Sequence, residues 1–173
     1  MDVEQAINRL RVVREFRPYS LRDEDVRAIL EAGRRTGSSK NLQRWQLITV
    51  RDRSRLEELS KVGRYAGHLA GASVGIALVT PELESPPAAR SVMWDVGRAA
   101  QNMTLAAWAR GIGSAPATVY EQDVCRGILG YPEDQRCEYI LSFGYPADPS
   151  DLTRPLRAGG RRPLEEVVRD EQW

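Results

Sequence analysis

"SVGIALVT", residues 73–80, carries no charge and has its only hydroxyls at its two ends. A strand with one wet face alternates apolar and polar residues. A continuous apolar run of this length, stopped by Pro81, reads as a central strand buried on both faces. Such a strand needs covering layers above and below, and the sequence on either side supplies them. Helical spacing from about Arg22 to Arg35 puts Val26, Ile29, Leu30 and Gly33 on one face, behind an S-x-x-D capping pattern at Ser20 and Asp23. "RDRSRLEELSKVG" (51–63) reads as a polar helix with Leu56 and Leu59 inward, ended by Gly63. The longest helix lies in "RSVMWDVGRAAQNMTLAAWARGIG" (90–113), where Val92, Val96, Ala99, Ala100, Met103 and Ala107 recur every three or four residues. From Ser91 to Arg110 it spans roughly 30 Å, with Gly111 as its C-cap.

The remaining segments extend the pattern. Residues 3–10 read as a short amphipathic helix, 45–50 as a strand, "SAPATVY" (114–120) as extended, "EQDVCRGILG" (121–130) as a short helix and "CEYILSFGY" (137–145) as a second core strand. "PELESPPAA" (81–89) reads as a loop. The tail from Pro146 to Trp173 is polar and rich in Pro and Gly, so it cannot bury itself and must be disordered or lie against something else. Helices alternate with about four strands, an α+β or α/β layered domain. At 173 residues a single domain, 1–173, is expected.

The totals exclude more than they assign. A net charge of +1 gives no electrostatic case for nucleic acid or a membrane surface. With no long apolar run, and no signal peptide in "MDVEQAINRL", the chain reads as soluble and cytoplasmic. Cys125 and Cys137 have neither metal nor redox spacing and read as buried thiols. "GIGSAP" (111–116) follows a helix and has Pro116 where a dinucleotide fingerprint needs its third glycine. One histidine, His68, rules out a multi-histidine metal site, and Asp95 and Glu138 stand as isolated acids.

What is left is cationic and amide chemistry. "RLRVVREFRP" (9–18) places Arg11 and Arg14 where they can share one side, and Arg161 with Arg162 forms a second basic group in the tail. Converging guanidiniums suit a phosphate. The loop "TGSSKNLQRWQLITV" (36–50) adds Ser38, Ser39, Asn41 and Gln43 as neutral hydrogen-bonding groups before a strand. Together they suit a ligand with a phosphate at one end and a polar aromatic ring at the other. A chain without an acid, base or metal centre can still be an enzyme when a cofactor does the chemistry.

Five segments in order resemble the nitroreductase family of flavin-dependent oxidoreductases. "LRVVREF" (10–16) is similar to R-R-S-x-R-x-F, with Leu10 and Val12 as departures. "TGSSKNLQRW" (36–45) resembles A-P-S-x-x-N-x-Q-P-W, with Gly37 and Arg44 in place of prolines. "DVGRAAQNMTLAAWARGIGS" (95–114) resembles D-x-G-x-x-x-Q-N-x-x-L-A-A-x-x-x-G-L-G-[TS]. "LGYPEDQRCEYILSFGYPADP" (129–149) and "GRRPLEEVV" (160–168) resemble the closing segments. The resemblance implies an α+β three-layer sandwich, with a central mixed sheet wrapped by helices and an extended C-terminal arm. It implies a homodimer in which 146–173 packs on the partner subunit, and FMN bound between subunits. By position, Arg11, Arg14, Arg161 and Arg162 would hold the phosphate. Ser38, Ser39, Asn41 and Gln43 would contact the flavin from the other subunit, and Gly113 and Ser114 would line the ring through their backbone. The implied reaction takes electrons from NADH or NADPH and passes them, by ping-pong chemistry, to a nitroaromatic, quinone or related electron-poor acceptor. The rival reading is a flavin-binding storage or sensing protein. "GRYAGHLAG" (63–71) and "PELESPPAARS" (81–91) are the expected acceptor-facing segments.

Overall fold

A computed structural model describes residues 3–82, 85–156 and 158–173. The apolar run forms β2 (Val74–Pro81), buried along seven of its eight residues. Its neighbours are β1 (Gln46–Val50) and β4 (Gln135–Gly144), and β3 (Gly113–Thr118) lies outside β4, giving the order β1-β2-β4-β3. All pairings between these strands are antiparallel. The parallel component expected of a mixed sheet is one bridge, Val12 to Ser114, where the N-terminal segment runs along β3.

Both faces of β2 are covered because its side chains alternate between two cores. Ile76 and Leu78 pack with Ile29, Met103 and Phe143, beneath α2 (Asp23–Arg34) and α4 (Pro86–Trp108). Ala77 and Val79 pack with Leu56, Leu59 and Ile140, beneath α3 (Arg53–Leu59) and α5 (Gln122–Leu129). The result is the expected three-layer sandwich. Gly33 lets α2 and α4 approach closely, since a Cβ there would lie 2.8 Å from the Met103 sulfur.

Several local expectations change. Helix α4 starts at Pro86, five residues before the expected Ser91. Prolines suit a first helical turn, whose N–H groups have no intrahelical acceptor, so Pro86 and Pro87 open the helix rather than prevent it. Leu83 and Glu84, in the expected loop, lie outside the described residues. The S-x-x-D pattern is not used as a cap. Helix α2 starts at Asp23 after Arg22, without a side-chain cap, and its first turn carries Asp23, Glu24 and Asp25 against the helix dipole. Helix α3 is shorter than expected, opened by Asp52 accepting from the Arg55 N–H and closed at Ser60. Gly63 instead forms a turn so tight against the Thr118 carbonyl that no Cβ could fit.

The cysteines are distant in sequence but adjacent in the core. Gln122 on α5 bonds the Cys137 backbone through both ends of its amide, at 2.8 and 3.3 Å. Cys125 lies one turn further along, and the two wholly buried thiols interact side chain to side chain. They fill space beside Tyr131 as free, enclosed thiols.

Two segments bury nothing. Helix α1 (Val3–Arg9) leaves Val3 73% and Ile7 61% exposed. Every described residue from Thr153 onward is exposed, including Leu164, Val167, Val168 and Trp173 in and beyond the short helix α6 (Leu164–Val167). Among the described residues no helix is long and apolar enough to cross a membrane.

Candidate functional site

Helix α4 organises the site through two sides. Asp95 and Asn102 face the 36–43 loop. The Asp95 carboxylate accepts from the Ser39 N–H at 2.8 Å, and the Asn102 amide donates to the Thr36 hydroxyl at 2.8 Å. Arg98, between them, lies over Gly37, where a Cβ would sit 3.3 Å from the guanidinium. Gly37 thus makes room for Arg98 where the family pattern has proline. The loop needs this support. Lys40, Asn41 and Gln43 have φ of 53°, 54° and 48°, a left-handed conformation that costs a non-glycine residue about 1–3 kcal/mol. Inside the loop, Ser38 Oγ accepts from the Gln43 N–H at 2.9 Å, and Gln43 Nε2 donates to Asn41 Oδ1 at 3.2 Å. The Asn41 amide nitrogen is exposed and uncommitted.

Gly97, Gln101 and Thr104 project from roughly the opposite side of α4, since a helix turns about 100° per residue. They line a cavity of about 190 Å³ with Arg11, Ser114 and Pro116. Nothing fills the space beside the Gly97 Cα. The volume falls below the ~300 Å³ lower bound usual for a small-molecule site. Its lining combines a cation, Arg11, and the hydroxyls of Thr104 and Ser114 with Pro116, Leu141 and Ala100 as apolar wall.

The structure brings Arg11 and Ser114 together and separates them from the serine, asparagine and glutamine loop. Ser114 is fixed by its carbonyl, which accepts from the Val13 N–H at 2.9 Å. Gly113 is buried against Val13. Arg11 and Arg14 differ in what they bond to. The Arg11 guanidinium donates to the carbonyls of Asn8, Leu10 and Arg154 at 2.8–2.9 Å, tying the end of α1 to the C-terminal segment. Arg154 returns a bond to the Val12 carbonyl at 2.8 Å. Arg14, Arg161 and Arg162 stand exposed, and among the described residues their guanidiniums have no hydrogen-bond or ion-pair partner. Trp45 is half-buried against the core around Met103, a packing residue at the start of β1.

Sequence reasoning missed two polar anchors. Asp95 read as an isolated acid, yet it holds a loop 56 residues away. Its only signal was its place in D-x-G-x-x-x-Q-N. His68 sits in a buried 3-10 turn, Gly67–Gly71, with Nδ1 2.8 Å from Ser142 Oγ. Ser142 donates to the Ala115 carbonyl at 3.2 Å, so its oxygen accepts from His68 Nδ1–H. The buried Nε2 meets no geometrically good hydrogen-bond partner among the described residues. Burial lowers the His68 pKa below its ordinary 6.5, opposed in part by the Pro116 backbone and reinforced by the Arg14 charge. The unfolded chain therefore takes up a proton before the folded one does. Stability is full above about pH 6.5 and falls as pH drops below it. Chemical denaturation between pH 7.5 and 5 should show this loss, and His68→Gln should flatten it; an unchanged slope would refute the assignment. Within 63–71, Ala66, His68 and Leu69 are buried, while Arg64, Tyr65 and Gly67 are exposed.

The profile described as "Nitroreductase family" matches residues 7–64 and 56–145. The chain belongs to the nitroreductase family. A protein of Archaeoglobus fulgidus, whose name proposes an NADH dehydrogenase or NAD(P)H nitroreductase, is 35% identical over 160 residues, covering 87% of this chain and 90% of that one. A proposed nitroreductase of Desulfovibrio desulfuricans, solved in complex with FMN, superposes with a TM-score of 0.81 at 28% identity, covering 100% of this chain and 98% of the other. A proposed NADH oxidase of Clostridium acetobutylicum shares the fold, with a TM-score of 0.84 at 22% identity over 97% of this chain and 99% of its own.

Proposed function

We propose that this protein is an FMN-dependent oxidoreductase of the cytoplasm that takes electrons from NADH or NADPH and passes them to a nitroaromatic, quinone or related electron-poor acceptor. The observation that carries this reading is the partial cavity where Arg11 and Ser114 meet, facing away from a strained donor loop on the same helix. A second copy would place its Ser38, Ser39, Asn41 and Gln43 across that cavity and complete it, which makes the working unit a homodimer. The uncovered apolar residues of α1 and of the arm, 146–173, fit an interface of this kind.

FMN, when bound, supplies the acceptance and release of hydride equivalents. The protein's residues hold and orient it. Arg14, with Arg161 and Arg162 from the arm and Arg11 from the cavity wall, would neutralise the phosphate. Asn41 and Gln43 would present amide hydrogens to the ring edge. The backbone of Gly113 and Ser114 would line the ring, and Pro116 and Leu141 would exclude water. No side-chain acid or base is required, so donor and acceptor can use one pocket in turn, which is ping-pong behaviour. Ser39 gives its N–H to Asp95, so its contact would come from its hydroxyl.

The test is an absorbance spectrum of the purified protein, then anaerobic addition of NADH or NADPH. A yellow protein that bleaches within the mixing time, and recovers on addition of a quinone, is the expected result. A yellow protein that neither donor bleaches would replace this reading with storage or sensing. A colourless protein that leaves added FMN unbound would overturn both.

A further inference from the structure

We propose that Asp95 is a positioning residue that holds the 38–43 loop in its flavin-gripping shape. The inference rests on the proposed FMN function and adds to it a residue that touches no ligand. Asp95 lies on the middle of α4, only 4% exposed, with one carboxylate oxygen on the Ser39 N–H at 2.8 Å. Its other oxygen is buried without a hydrogen-bond donor, 4.0 Å from the Arg98 guanidinium. A carboxylate withdrawn from water is costly to the fold unless it is paired and hydrogen-bonded, and among the described residues the Ser39 N–H supplies the hydrogen bond that offsets this cost for Asp95. The loop it holds contains three non-glycine residues at positive φ within four positions, and such strain persists only where surrounding contacts over-determine it. The loop's long-range hydrogen bonds to α4 are two, Asp95 to Ser39 and Asn102 to Thr36. The Asn102 bond fixes the entry to the loop; the Asp95 bond fixes the residue before Lys40, where the strained stretch begins. Without it the backbone relaxes to negative φ, and the Asn41 and Gln43 amides turn away from their common direction.

The test uses the full-length protein, both stripped of FMN and reloaded, with Asp95→Ala, Asn41→Ala and the double variant. In the stripped protein, trypsin cleavage at Lys40–Asn41, read by mass spectrometry, should be at least several-fold faster in Asp95→Ala than in wild type. FMN titration by flavin fluorescence should show Asp95→Ala weakened about tenfold. The double variant should be no weaker than the poorer single one, because both changes act through the same amide. The flavin absorbance envelope should shift in the same direction in both single variants, which a general loss of packing would not produce. Compared with Ser39→Ala, which keeps the N–H and loses only the hydroxyl, Ser39→Pro is the second variant, removing the donor rather than the acceptor at the first position of a turn that tolerates proline. It should reproduce both effects if Asp95→Ala does not fold. Unchanged cleavage at Lys40 in both variants would overturn the positioning role. Faster cleavage with unchanged FMN affinity would show that Asp95 holds the loop but that the loop does not grip FMN, which would count against that part of the functional reading. Additive losses in the double variant would also overturn the proposal.

Discussion

Arg14→Ala is expected to weaken FMN binding by about ten- to a hundredfold and to leave the fold intact, if the proposed cofactor site is correct. The size follows from a charge-assisted hydrogen bond to phosphate, worth about 1.5–3 kcal/mol, at about 1.4 kcal/mol per tenfold. The unchanged fold follows from its surroundings. Arg14 is exposed and, among the described residues, its guanidinium makes no hydrogen bond or ion pair, so its loss removes no such bond from the unliganded chain and only the influence of its charge on His68. Arg11 is the contrasting case. Its guanidinium closes three backbone carbonyls, so Arg11→Ala should lower stability and affinity together. Riboflavin, which lacks the phosphate, separates the roles. Arg14→Ala should lose affinity for FMN and keep its affinity for riboflavin. Equal FMN affinity in wild type and variant would remove Arg14 from the phosphate site.

Gly113→Ala should lower stability by about 1–3 kcal/mol, the range for overpacking a filled core. At about 2–4 °C per kcal/mol for a chain of this size, the melting temperature falls by about 2–12 °C. A Cβ on Gly113 would lie 2.6, 2.8 and 2.9 Å from the three side-chain carbons of Val13, itself wholly buried and tied to Ser114 by its N–H. Neither partner can step aside alone. The N-terminal segment must lift from β3, and Arg11 and Arg14 lift with it, so FMN affinity falls as well. Adding Val13→Gly removes all three carbons the new methyl would meet, and the pair should cost less than the sum of its single variants in a thermal melt. A melting temperature unchanged by Gly113→Ala, or costs that simply add, would contradict this packing.

The outline of the fold was legible because periodicity reports burial. "SVGIALVT" gave a strand with two covered faces, and the spacing of Val92, Val96, Ala99 and Met103 gave the helix that covers one of them. The errors cluster at element ends, where local chemistry is ambiguous. Pro86 and Pro87 serve equally as a loop or as the first turn of a helix, and Ser20 could have capped a helix that in fact begins at Asp23. The candidate site was legible only in part. Arg11, Ser38, Asn41 and Ser114 were marked by family motifs, but nothing in those motifs told which of them share a cavity.

By itself the sequence determined the order of helices and strands, the two-sided burial of β2 and an arm that cannot bury its own apolar residues. Each depends on the pattern of neighbours along the chain, and solvent selects for that pattern locally. The tertiary structure alone decided the pairings: Asp95 with Ser39, His68 with Ser142, Cys125 beside Cys137, Arg11 beside Ser114 but apart from Asn41. A side chain's partner is set by which faces of packed elements oppose one another and in what register. An acid, a histidine and a thiol that look ordinary in sequence acquire their roles only when the sheet and α4 bring distant residues within hydrogen-bond reach.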